Sequence, residues 1–142
     1  MIYNIIRFNG EDFWYAEMSK YSHRWTFGLA NYQGQALTTG CYDDSSCSIK
    51  TEIMNMKKLE WSDAPDFLFR QKIVREISCY STAATSTAAF IIGGSHTQNI
   101  VAEFRKNQWH YLGSLLQGRS HHASITVDED MLILGGWASN RS

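Results

Sequence analysis

"MLILGG", Met131 to Gly136, is a short apolar run that closes on two glycines, and "AAFIIGG", Ala88 to Gly94, does the same earlier in the chain. A brief apolar run bounded by glycine is the signature of a buried strand. Two such endings in one short chain point to a repeated unit, so the period has to be found first.

The tryptophans supply it. Trp14, Trp61 and Trp109 recur at a nearly constant interval. Trp14 stands as far before Gly40 as Trp109 does before Gly135. Arg24 and Arg119 also stand at equal distances before those same two glycines. The middle repeat is longer, because Trp61 precedes Gly93 by a wider gap. The extra length falls in "DFLFRQKIVRE", which has some 3.6-residue character but no convincing helix.

Each repeat divides into two strand pairs. "YNIIRF" with "DFWYAE", "KTEIMNM" with "LEWSDA", and "NIVAEF" with "QWHYLG" read as hairpins. They turn at Asn9-Gly10, at Lys57-Lys58, and between Arg105 and Gln108. Asn-Gly between apolar alternations is a strong hairpin signal. Phe104 to Trp109 and Met56 to Trp61 share one spacing, and Phe8 to Trp14 is a single position longer. The other pairs end at the glycines: Trp25–Ala30 with Gln35–Thr39, Cys79–Ala84 with Ala88–Ile92, and His122–Val127 with Met131–Leu134. The expected fold is therefore all-β, each repeat a four-stranded antiparallel sheet of the propeller-blade kind that must stack on its neighbours. Small and β-branched residues in "STAATSTAA" and "ASIT" suit a crowded central axis. The divisions are the end of one blade at 1–18, blades at 22–64 and 77–113, and the start of another at 119–142.

Composition narrows the function. The chain has 142 residues, 44% hydrophobic and 19% charged, with a formal net charge of -1, which suits one folded domain. Without a basic surplus, duplex nucleic acid is not expected as a partner. No apolar run approaches the roughly 20 residues of a membrane span, so no membrane insertion is expected. The start, "MIYNIIRFNGEDFWY", lacks the parts of a signal peptide.

Arg before the first strand, Gly-Gly closing an apolar second strand, an aromatic on the third and Trp on the fourth resemble the kelch repeat. Gly93-Gly94 with Phe104 and Trp109, then Arg119 and Gly135-Gly136, carry the resemblance. The first repeat departs from it, with Cys41 in place of the second glycine, and Phe104 or Met56 stands where the family has tyrosine. The Gly-His and Trp-Asp pairs of WD propellers and the Asp-box motifs of sialidases are missing. Kelch-like propellers have about five to seven blades. The resemblance thus implies a partial set, a fragment or half of an assembled ring, needing further blades from the same or another chain. In it the Trp residues fill the space between blades.

Side chains with chemistry are few. Cys41 and Cys47 flank "YDDSS". They either staple that loop in an oxidising compartment or are two unrelated thiols. Cys79 reads as a small buried filler. His121-His122 is a poor chelate if it lies within a strand, because successive residues point to opposite faces. One of the two is expected inside and the other near a loop mouth. Neither "YDDSS" nor "VDEDM" has calcium-loop spacing. "NRS" at Asn140–Ser142 is a glycosylation sequon. No metal, cofactor or catalytic group is expected, and the compartment stays open between cytoplasm and secretion.

The first functional expectation is a non-catalytic module for protein or peptide binding through face loops, because loops on a rigid scaffold carry recognition. By position these loops include Trp25, Tyr42, Ser95, His96, His121, Trp137 and Ser139. Alternatives implied by the family are an extracellular adhesion or matrix protein and the substrate-recognition part of a ubiquitin-ligase adaptor. A galactose-oxidase-like enzyme would need a Tyr, Cys and His copper set that these residues do not display.

Overall fold

The computed structural model describes residues 5–16, 26–41, 49–69, 72–73, 78–95 and 99–138. Among the described residues there is no helix, and every strand pair is antiparallel. The fold of the described residues is all-β, and their sheets do not close into a barrel.

Among the described residues, two sheets have four strands each. The first runs in chain order through β3 (Thr26–Tyr32), β4 (Gln35–Cys41), β5 (Ile49–Asn55) and β6 (Glu60–Ala64). The second runs through β9 (Ser81–Ala84), β10 (Ala89–Ile92), β11 (Ile100–Arg105) and β12 (Gln108–Ser114). Ahead of them lies the hairpin of β1 (Ile5–Phe8) and β2 (Phe13–Ala16). Behind them lies the hairpin of β14 (Ala123–Val127) and β15 (Asp130–Leu134). Beside it, β13 (Arg119–Ser120) pairs with β16 (Trp137–Ala138). Within "DFLFRQKIVRE", β7 (Leu68–Phe69) and β8 (Lys72–Ile73) form a short hairpin. Phe67, just before it, is buried in the core.

Turn chemistry explains the hairpins. Gln33-Gly34, Lys106-Asn107 and Asp128-Glu129 all have positive φ at both central residues. That geometry matches the twist of the flanking strands. Two other turns are wider than their spacing implies. Asn55 Oδ1 accepts the N–H groups of Lys57 and Lys58, and the turn takes all of Met56–Leu59. Trp61 consequently stands opposite Met54. Asn9 Oδ1 accepts from Glu11 and Asp12 in the same way, so Trp14 stands opposite Arg7 and Phe8 opposite Phe13. Trp109 stands opposite Phe104. Strand starts also move. Cys79 and His121 lie at φ 56° and 55°, which breaks the extended run, so the strands begin at Ser81 and Ala123. Cys79 is half-buried rather than a core filler.

The three hairpins that end at the glycines share one register. Gly28 opposite Thr39, Ser81 opposite Ile92 and Ala123 opposite Leu134 are equivalent pairs. The turns Gln33-Gly34, Ser86-Thr87 and Asp128-Glu129 close them at the same distance. In each hairpin one face leads toward the next unit and the other trails toward the previous one. The leading face of the first sheet, with Ala30 and Leu37, packs on Ala89 and Phe104 of the second. The leading face of the second, with Ala83, Phe90 and Ile92, packs on Met131 and Ile133 of the β14–β15 hairpin. The first strand of the second sheet, β9, touches both β3 and β14.

Candidate functional site

The end of the sheets where the glycines fall is built by one device used twice. After Ile92 the chain reaches Gly93 at φ 68° and Gly94 at φ 121°, and after Leu134 it reaches Gly135 at 72° and Gly136 at 82°. Only glycine adopts such angles freely, and each pair carries the second strand away from the first. The two strands then pair again one step further out. Ser95 N–H donates to the Ser78 carbonyl at 2.8 Å, and Ser120 stands opposite Trp137 in the equivalent place. A Cβ on Gly136 would overlap the Ser120 carbonyl oxygen and lie 2.8 Å from His122 Cβ. The close approach of two backbones therefore requires glycine there.

Backbone hydrogen bonds tie these devices together. Gly94 N–H donates to the Arg119 carbonyl at 3.0 Å, and His121 N–H donates to the Cys79 carbonyl at 2.9 Å. Ser95, His121 and Trp137 are thus brought to one end of neighbouring units. His121 is exposed, and Trp137 is 78% exposed, an unusual state for so large an apolar ring. Arg119 Nη1 donates to the Gly135 carbonyl at 3.0 Å. This bond is the physical content of the Arg-to-Gly spacing in the third unit.

His122 is buried, with only 8% of its surface exposed. Neither ring nitrogen has a partner in hydrogen-bonding geometry. Burial, and secondarily the Arg119 guanidinium, hold its pKa below the ordinary value of 6.5, while the Ile92 carbonyl opposes them in part. The equivalent residue in the preceding unit is Tyr80, whose hydroxyl donates to the Thr39 carbonyl at 2.6 Å. Thr39 and Ile92 are themselves equivalent. The same place therefore faces an equivalent carbonyl at both interfaces, bonded to Tyr80 at the first but to neither His122 nitrogen at the second, a correspondence that the Trp and Gly spacings did not expose.

Other expected positions fall differently. Trp109 lies between sheets: its Nε1 donates to Thr51 Oγ1 at 3.1 Å, and its ring meets Phe67 and Phe104 edge-on, with centroids 5.3 and 5.2 Å away. Trp61 is half-buried on β6. Cys41 closes β4, opposite Thr26 and Ile49. Arg24, Trp25, Tyr42, Cys47, His96 and Ser139 lie outside the described residues, as does the Asn140 sequon. Among the described residues, no three His, Cys, Asp or Glu side chains gather in a way that could hold a metal ion.

No protein-family model and no curated protein matches this chain.

Proposed function

We propose that this chain is a non-catalytic binding module of the kelch-propeller kind, which takes a protein or peptide at the Gly-Gly end of its blades. The observation that supports it is the clustering of exposed Trp137 and His121 with Ser95 on backbone held by cross-unit hydrogen bonds. A large aromatic in solvent on a rigid edge is the residue type that most often anchors a protein contact. The propeller reading is supported by three features: four-stranded sheets in chain order, a common register at the glycines, and first strands that meet one another. Arg119, Gly93-Gly94 and Gly135-Gly136 belong to the scaffold in this reading, and Trp109 is its inter-blade filler.

Selection of a displayed peptide library on the immobilised chain tests the proposal. Peptides are expected whose affinity falls at least ~10-fold, about 1.4 kcal/mol, on Trp137→Ala. His121→Ala should weaken them less. Peptides that bind the Trp137→Ala variant as well as the unaltered chain would overturn it, as would a selection that enriches none.

A further inference from the structure

The register of the two internal interfaces implies a third. At the first interface Gly28, on a leading face, meets Thr82, on a trailing face; a Cβ on Gly28 would overlap Thr82 Cγ2 and lie 2.8 Å from Tyr80 Cε2. At the second interface the equivalent residues are Ser81 and Ser124, joined through their hydroxyls. Thr82 Oγ1 also donates to the Leu29 carbonyl at 2.8 Å, binding one first strand to the next. One rule, a leading position against the trailing position one residue further along the next first strand, governs both contacts.

Among the described residues, that rule leaves two places unmatched: the leading face of the last hairpin and the β3 side of the first sheet's trailing face, on whose β4 side Thr38 is buried. The leading face of the β14–β15 hairpin carries Ala123, Ile125, Val127, Leu132 and Leu134. Its equivalents Ala83, Phe90 and Ile92 are buried, yet Ile125, Leu132 and Leu134 are 55%, 48% and 64% exposed. On the first sheet the trailing face holds Leu29, 60% exposed, where Thr82 and Ser124 stand in the later units. Continued by one step, the rule sets Ala123 against Leu29, a small apolar residue against a larger one. An exposed apolar face of this kind on a strand pair marks a contact surface.

We propose that the β14–β15 leading face receives the β3 trailing face of a second copy of this chain, extending the internal stacking head to tail. The second copy is favoured because its trailing face is related to the two buried ones by the repeat itself, with polarity matched at the central pair. The contact is heterologous, so the assembly forms a closed ring if the rotation per copy closes and an open stack if it does not. This inference rests on the repeat register and not on peptide binding.

Light scattering after gel filtration, with sedimentation velocity, reads the outcome on the 142-residue chain of 16.3 kDa. The expected mass is at least twice that of one chain. Leu132→Glu and Leu29→Glu, checked for retained β structure by circular dichroism, should each give monomers. Their mixture should give a one-to-one dimer, because each variant keeps the face that the other has lost. Should either charge prevent folding, Ala123→Cys combined with Leu29→Cys replaces it, with mass mapping of an intermolecular bond between the two introduced thiols. A monomer at every concentration overturns the proposal, as does an oligomer that both Glu variants leave intact or a link formed only with the native cysteines.

Discussion

His122 and Tyr80 show how one position does different work in successive units. Tyr80 satisfies its hydroxyl on the Thr39 carbonyl. His122 is buried at the same place with neither nitrogen bonded. Because burial and the Arg119 charge lower its pKa, the folded chain holds it neutral where the unfolded chain begins to take up a proton. The native state then binds fewer protons, so stability rises with pH across that interval. The contribution is complete above pH 6.5 and is lost as pH falls from there toward the folded value. Urea midpoints measured from neutral pH down through that interval should decline, and His122→Phe should flatten that decline. Phenylalanine is the natural choice, since Phe27 stands at this register position in the first sheet.

At the scale of the element, the glycine pair ends a strand by two different means. Gly135 needs its left-handed backbone but has open space around it, with nothing within 4 Å of an added Cβ. Gly136 needs both the backbone and the space, because Ser120 and His122 crowd it. Gly135→Ala should therefore cost about 1–2 kcal/mol, the left-handed penalty alone. Gly136→Ala should cost at least about 1 kcal/mol more, since the β13 backbone must also give way. Denaturant titration of the two variants checks the order, and equal losses would contradict it. The glycine pair and its strand were legible from "MLILGG" because apolar run and breaker are adjacent in the chain. The wide turn after Asn55 was not, because an Asn side chain bonding two N–H groups adds length without altering the apolar pattern.

At the scale of the whole molecule, stability depends on sheets gripping one another. Trp109 is the clearest clamp: it belongs to the second sheet, bonds Thr51 of the first and meets Phe67 from the connecting segment edge-on. Trp109→Phe keeps an aromatic ring and removes the bond, a loss of about 1 kcal/mol. Trp109→Ala should cost about 3 kcal/mol, the low end for such a truncation because the side chain is half-buried. Amide exchange should rise in β5 as well as β11 in the alanine variant, since the contact spans both sheets; faster exchange confined to β11 and β12 would show that the clamp is local. A lesser tie joins the hairpin tips, where Ser86 N–H and Oγ both donate to Glu129. Its exposed position makes it the weaker of the two.

Strand, turn and repeat were determined by the sequence itself, since they arise between residues close in the chain: alternation sets a strand's faces, and glycine sets where the strand can bend. The Trp and Arg spacings reached further only because a repeat copies the same local pattern. Tertiary structure alone decided which faces of the described hairpins that end at glycines are covered, that Trp109 reaches Thr51, and that Tyr80 is bonded to a carbonyl where His122, at the equivalent place, is not. Those outcomes rest on contacts between residues far apart in the chain, whose partners depend on how one sheet is set against the next. The exposed apolar face of the last hairpin belongs to the same class. Ile125, Leu132 and Leu134 have the composition of a core, and only the position of the neighbouring sheet reveals that they stand outside it.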